Sequence, residues 1–255
     1  MKPSELPPNS RYVSVPATLP HWKRAIDLCC CLLALPVLAA CALVGAILMR
    51  LTSPGPLLFR QERVGYQGKH FWLYKFRTMH VSADIATHQT HFSELLRSAE
   101  PMQKLDTMGD SRLIAGGRLL RASGLDELPQ IINVLRGEMS IVGPRPSIPY
   151  EYELCTPAQR RRLGSLPGLT GLWQVSGKNQ TSFDQMVELD VAYAQRRSLA
   201  LDLKIMLLTA PVLVGQILET RFRRLRPTQE GQSAAPFTAS LMEAGTEFQR
   251  FLPGA

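Results

Sequence analysis

Hydrophobic and polar positions along this chain follow three regimes. From Leu28 to Met49, "LCCCLLALPVLAACALVGAILM", 22 consecutive residues carry no charge. Such a run is the usual mark of a helix in a bilayer. At 1.5 Å per residue it measures about 33 Å, enough for a hydrocarbon core of about 30 Å. It is too long for the apolar core of a signal peptide, and no A-x-A-type cleavage site is evident after it. Next comes "LLFRQERVGYQGKHFWLYKFRTM" at 57–79, where polar and apolar positions alternate. That pattern predicts a β-hairpin with its turn at Gly65 and Gly68. In the second arm Trp72, Tyr74 and Phe76 share one face, and Lys75 and Arg77 share the other. The alternation therefore predicts buried aromatics and two cations on the exposed side. The third regime is helical: residues 112–137 and 183–200 carry apolar positions at helical spacing. A second apolar run, 203–218, is interrupted by Lys204 and Pro211. It is too short to span and predicts a helix lying in the membrane interface or the core.

The flanks of the first run leave its path open. Lys23 and Arg24 precede it, and Arg50, Arg60 and Arg63 follow it. Positive residues prefer the cytoplasmic side, and here both ends are positive. Pro36, near the middle, removes a backbone hydrogen bond. A kinked helix that dips in and returns to one face satisfies both observations. A straight bitopic span with a tolerated proline is the alternative.

These patterns divide the chain into a loose Pro- and Ser-rich segment at 1–20, a membrane helix at 21–52, a domain at 53–226, and a tail at 227–255 rich in Ser, Ala, Gly, Pro and Gln, for which disorder is expected. "SPGP" at 53–56 is the turn that stops the helix. Residues 80–110, with His80, His88 and His91, read as a solvated linker or surface helix rather than a metal site. "QRRRL" at 159–163 suits either an anionic lipid surface or an ordinary solvated helix face.

Charge and cysteine usage narrow the classes. The net charge of +8 calls for an anionic partner: nucleic acid, an acidic membrane face or a phosphorylated substrate. No nucleic-acid reading motif with interleaved stacking aromatics accompanies it. Four of the five cysteines lie in the apolar run, and no CxxC pair is present. A reducing compartment and no metal cage follow.

The chemistry concentrates in "GLDELPQIINVLRGEMSIVGPRP" at 124–146. Asp126 and Glu127 are adjacent, and the cations Lys75, Arg77, Arg118, Arg121 and Arg145 come from separate segments of sequence. The bland reading is two solvated acids at a helix N-terminus. A carboxylate pair among cations also suits phosphate transfer. One carboxylate can attack phosphorus, and its neighbour can help hold Mg²⁺. Arginines clamp the remaining phosphate oxygens through two-point hydrogen bonds. Pro144 and Pro146 stiffen the backbone around Arg145.

Five segments appear in fixed order: "KRAIDL" at 23–28, "GPLLFRQERVGYQGKHFWLYKFRTM" at 55–79, "LDELPQIINVLRGEMSIVGPRP" at 125–146, "PGLTGLWQVSGK" at 167–178 and "LDLKIMLLT" at 201–209. Over residues 21 to 220 the chain resembles the bacterial sugar transferases, also called monotopic phosphoglycosyl transferases. The resemblance implies a mostly helical α+β fold with a small β-hairpin, interfacial amphipathic helices and a kinked, re-entrant N-terminal helix bent at Pro36. It implies transfer of a sugar 1-phosphate from a UDP-sugar to undecaprenyl phosphate, with Mg²⁺ required and UMP released. This reaction begins exopolysaccharide or glycoconjugate assembly at the cytoplasmic face of the bacterial inner membrane. In the family's pattern Asp126 is the nucleophile that forms a covalent phosphosugar, and Glu127 assists with metal or proton handling. Arg121 and Arg145 match functional arginines, and Lys75 lies in the "KFRTM" motif. Trp173, Gln174 and Lys178 are candidates for nucleotide or sugar contacts, with packing as the alternative for Trp173. A homodimer is compatible with this architecture.

The chain departs from the family pattern in places. Gly124 stands where Ser usually precedes Leu-Asp-Glu, Leu35-Pro36 replaces the common Ser-Pro, and Ser147 occupies a position that is often acidic. The multi-span module of some relatives is not expected here. The competing reading from another class is a catalytically silent membrane scaffold, in which Asp126 is an ordinary helix cap.

Overall fold

A computed structural model describes residues 19–52, 55–79, 113–114, 117–177 and 181–225. His80, His88, His91, Lys178 and the segments 1–18 and 226–255 lie outside the described residues.

Helix α1 (His21–Thr52) begins the described chain. It bends by 58° between His21–Pro36 and Leu38–Ile47. The cause is local: Pro36 has no N–H to donate, and its ring clashes with the preceding turn. The two halves of α1 differ. Lys23, Asp27 and Cys31, spaced i, i+4, i+8 on one face, are buried in the protein, whereas Leu32, Leu33, Leu43 and Ile47 stay exposed. The root of the helix belongs to the globular core, and in its apolar upper part Ala42 packs near Phe76 while Leu43 and Ile47 stay exposed.

Strands β1 (Leu58–Val64) and β2 (His70–Phe76) form the antiparallel hairpin, turning through Gly65 and a 3₁₀ turn at Tyr66–Gly68. The strand faces correct the sequence reading. Phe71 and Leu73 point into the core, and Trp72 is exposed. Trp72 instead carries the Arg60 guanidinium over its ring, as Tyr74 carries that of Arg136. Both faces of this strand hold aromatics, so alternation alone did not define the inner one.

The stretch read as one helix over 112–137 is broken into α2 (Gly117–Ser123), a 3₁₀ segment (Leu125–Gln130) and α3 (Ile131–Arg136). Gly124 ends α2 in the left-handed region at φ 71, where a side chain is strained and glycine is not. Strand β3 (Ser140–Val142) then pairs in parallel with β4 (Gly168–Thr170). Between them lie α4 (Pro149–Leu154) and α5 (Pro157–Arg160); α6 (Leu172–Val175) and α7 (Phe183–Arg196) follow β4.

The last helix, α8 (Leu199–Leu225), overturns the expectation of a run too short to span. Its Leu199–Leu218 portion is 20 residues long with a mean hydropathy of 1.7, enough by length and composition to cross a membrane, and only 11% of that window is buried. The difference arises at Asp202. This acid, just outside the run counted from 203, is folded into the protein against Lys23, 2.7 Å away.

Three buried clusters carry the described domain, the smallest being Phe76 and Ile114 with Leu120 and Leu128 against them. One of the other two joins Cys31 of α1 to Phe71, Leu73, Val134 and Met139. The other packs Val142, Trp173, Phe183, Met186, Tyr193 and Ile205. Burial of such side chains contributes about 1.5–3 kcal/mol each before chain entropy is counted.

Candidate active site

The acidic pair sits in the first turn of the 3₁₀ segment that follows Gly124. The Glu127 amide donates to the Gly124 carbonyl at 3.0 Å, so the left-handed glycine aims the pair. Asp126 is buried and Glu127 is half-exposed. Two adjacent carboxylates therefore occupy different environments.

Strand β2 delivers the cation. Lys75 lies on the same face as Phe71 and Leu73, and its Nζ donates to Glu127 Oε1 at 2.8 Å. It was expected on the exposed side of the strand; the structure turns it inward to the acidic pair. Asn133 of α3, fully buried, sets this register. Its Nδ2 donates to the Trp72 carbonyl at 2.7 Å and its Oδ1 accepts from the Tyr74 amide at 3.2 Å. One side chain thus imitates a neighbouring strand and fastens the dyad's segment to β2. Nothing in the sequence separates Asn133 from a surface asparagine.

The second half of the site is the Gly143-Pro144-Arg145-Pro146 loop. Its backbone is tied at nearly every position. Gly143 N–H donates to the Thr170 carbonyl at 2.8 Å, and Gly168 N–H donates to the Pro144 carbonyl at 2.9 Å. The Pro146 carbonyl accepts from Arg63 Nη1 at 3.4 Å, and Ser147 exchanges backbone hydrogen bonds with Val64 at 2.8 and 3.2 Å. Just before the loop, the Val142 carbonyl accepts from Lys23 Nζ at 2.8 Å. The backbones of Gly143 and Gly168 approach so closely that a Cβ on either would meet main-chain atoms closer than 3.0 Å. The "PGLTG" stretch is thus the wall against which the Arg145 loop is built.

Arg63 is a site neighbour that the sequence reading took only for a flanking charge. It is buried and donates to Gln61 Oε1 at 2.7 Å. Burial, then repulsion from Arg145, pushes its guanidinium down to about 10, with Glu151 and Glu127 acting the other way. Arg63, Arg145 and Glu127 therefore share one electrostatic neighbourhood. Its signal was its place in the hairpin, opposite Phe71 in the β1–β2 register. A second missed pair is Arg162 and Asp190, 2.8 Å apart and both buried. Arg162 belongs to the "QRRRL" stretch read as a lipid-facing or solvated surface, and it lies in the interior instead.

The remaining candidates separate. Arg121 is half-buried in the last turn of α2, three residues before the glycine that aims the dyad. Arg77 is buried beyond the end of β2, where its Nε donates to the Pro56 carbonyl at 2.8 Å and its guanidinium packs on Gly55. It fastens the α1–β1 connection rather than facing solvent. Trp173 goes to the core, its Nε1 donating to Thr181 Oγ1 at 2.6 Å, so the packing alternative describes it. Gln174, partly buried, adjoins Gly171 beside the Arg145 loop wall.

Among the described residues, no group of three or more His, Cys, Asp and Glu could hold a metal. The donor set at the dyad is two carboxylates, one of them half-exposed. That fits Mg²⁺, which takes one or two carboxylates and completes its shell with phosphate oxygens and water, and does not fit an all-protein Zn²⁺ or Ca²⁺ cage.

A model of the bacterial sugar transferase family matches residues 19–216. The exopolysaccharide production protein ExoY of Sinorhizobium fredii is 39% identical over 191 residues, covering 75% of this chain and 84% of that one. A UDP-glucose:undecaprenyl-phosphate glucose-1-phosphate transferase of Caulobacter vibrioides is 39% identical over 200 residues, 75% of this chain and 69% of its own. The galactosyl transferase CpsE of Streptococcus agalactiae is 44% identical over 161 residues; the match covers 63% of this chain and 35% of that longer protein.

Proposed function

This chain belongs to the bacterial sugar transferase family, and from that premise we propose that it transfers a sugar 1-phosphate from a UDP-sugar to undecaprenyl phosphate. The names of relatives support the two substrates and a role in exopolysaccharide production. The observation that carries the reading is the Lys75–Glu127 contact at 2.8 Å beside the buried Asp126.

In the first step an Asp126 carboxylate oxygen attacks the phosphorus that bears the sugar. The bond from that phosphorus to the bridging oxygen breaks, and UMP leaves with the oxygen and the electron pair. In the second step an oxygen of the lipid phosphate attacks the same phosphorus. The bond to Asp126 breaks, giving the diphosphate-linked sugar and the free carboxylate. Splitting the transfer lets one anion leave before the other enters. Burial strips water from Asp126, while Lys75 holds Glu127 in one orientation next to it. Arg145, on its tied loop, and Arg121 supply fixed positive charge for the phosphate oxygens. Mg²⁺, held by Asp126 and Glu127, would neutralise charge on the diphosphate as the leaving group departs.

The reading extends to the membrane. The 58° bend at Pro36, the exposed leucines of α1 and the arginines beyond it support a re-entrant helix at the cytoplasmic face of the inner membrane. A site at the root of such a helix lies at the depth of the lipid's phosphate.

UMP release by purified protein in nanodiscs tests the proposal, with Mg²⁺, undecaprenyl phosphate and a panel of UDP-sugars. Release with one or two donors, abolished in Asp126→Asn, is expected. Undiminished release by Asp126→Asn would remove the covalent role from that residue, and silence across the panel would favour the scaffold.

A further inference from the structure

We infer that the buried Arg162–Asp190 pair is the positioning element for Arg145, with Arg162 holding that residue's carbonyl and Asp190 anchoring Arg162. The inference rests on the transfer reading, since it assigns to Arg145 a substrate phosphate to hold.

The argument starts from the prolines. Pro144 and Pro146 have no N–H, so between Gly143 and Pro146 only Gly143 and Arg145 can donate from the backbone. Gly143 is already committed to Thr170. The loop therefore has few donors of its own with which to fasten Arg145. The Arg145 carbonyl accepts from Arg162 Nη2 at 2.9 Å. The same Nη2 stands 2.8 Å from Asp190 Oδ2, which anchors the donor. The Pro144 carbonyl is held by the Gly168 amide and the Pro146 carbonyl by Arg63. Arg145 alone in the loop is gripped by a complete ion pair, whose side chains are only 3% and 1% exposed.

A buried ion pair is not the cheapest way to stabilise a core, because apolar residues of like volume often serve as well or better. What they cannot do is donate a hydrogen bond to a buried backbone carbonyl. Arg145 needs that grip because its guanidinium would be pulled by a diphosphate, and a displacement of about 1 Å can cost on the order of 100-fold in rate.

The test uses Arg162→Met/Asp190→Leu, which removes both charges without leaving one unpaired. Hydrogen exchange at the Arg145 amide and UMP release are measured on full-length protein in nanodiscs. The expected result is a melting midpoint close to wild type, exchange at Arg145 faster by tenfold or more, and kcat/KM lower by at least tenfold. Adding Arg145→Ala to the double variant should lower kcat/KM no further than Arg145→Ala does alone. Unchanged exchange at Arg145, or losses that multiply, would overturn the inference by making the pair a general core element. If the double variant does not fold, Arg162→Lys replaces it, keeping the charge but not the two-point fork, and the same comparisons decide. A wild type that releases no UMP would defeat the transfer reading, and the exchange measurement would still judge the grip on Arg145.

Discussion

Lys23 and Asp202 stand 179 positions apart in the chain and meet at 2.7 Å with both side chains buried. The Lys23 ammonium also donates to the Tyr193 hydroxyl and the Val142 carbonyl, each at 2.8 Å. Four residues along α1, Asp27 accepts from the Ser140 hydroxyl at 2.8 Å and the Ile141 amide at 2.9 Å. The root of the membrane helix is therefore fastened to α7, α8 and β3 by charge and hydrogen bonds in addition to the apolar packing of Cys31. Asp202→Ala leaves an ammonium buried without its partner and is expected to cost about 3–5 kcal/mol. Lys23→Met/Asp202→Leu should recover most of that. Thermal unfolding in detergent checks both, and a wild-type midpoint for Asp202→Ala would show the pair to be dispensable.

The Lys75–Glu127 contact should behave in the opposite way. It is half-exposed, so losing it should change stability by no more than about 1 kcal/mol. Glu127→Gln and Lys75→Ala should nevertheless lower UMP release by about 10²–10⁴-fold. Chelating Mg²⁺ should halt release without moving the melting midpoint of the substrate-free protein. Intact mass spectrometry with a UDP-sugar alone should find a phosphosugar adduct on the wild type and none on Asp126→Asn.

Glycine positions divide sharply. Gly143→Ala and Gly168→Ala each force a methyl into main-chain atoms closer than 3.0 Å, and overpacking of this kind costs about 1–3 kcal/mol or more. Both should also lower activity, because the wall and the Arg145 loop move together. Gly215→Ala meets nothing within 4 Å and should be neutral or stabilising by up to about 1 kcal/mol. Chemical denaturation of the three variants separates these outcomes.

Acid should stabilise the region around Asp190 while weakening its function. Burial pushes this carboxyl up to about 6 from 3.8, against the pull of Arg162 and Arg145. A group raised on folding contributes stability that is complete below about 4 and is lost as pH rises through about 6, worth up to about 3 kcal/mol. From pH 4 to 6.5 the wild type should therefore lose stability relative to Asp190→Asn. UMP release should rise over the same range as the ion pair forms. Parallel stability curves for the two proteins would contradict the shift.

A re-entrant α1 makes a topological prediction. In a cysteine-free background, His21→Cys and Gly55→Cys should both react with an impermeant maleimide from the cytoplasmic side. Reaction of the two from opposite sides would establish a bitopic span.

The dyad, the hairpin turn and the apolar run could be read from the sequence because each is a local pattern. The β2 faces could not, since Trp72, Tyr74 and Phe76 compete with Phe71 and Leu73 for the inside at identical spacing. The arginines divided for a different reason. Arg77, Arg162 and Arg63 look like the exposed Arg161, and only long-range partners such as Pro56, Asp190 and Pro146 make them interior residues. Asp202 shows the same limit: an acid beside an apolar run is paired with a residue near the other end of the chain.

The Lys23–Asp202 bond also imposes a schedule. A ribosome that adds about 5–20 residues per second needs on the order of ten to forty seconds between the two residues. During that interval Lys23 has no Asp202 to meet, and its charge is available to hold the entering helix at the membrane surface. Once α8 emerges, the same ammonium is withdrawn into the interior and the Val142 carbonyl next to the Arg145 loop gains its donor. The Arg145 loop thus gains the complete Lys23–Asp202 support beside it only after α8 is made.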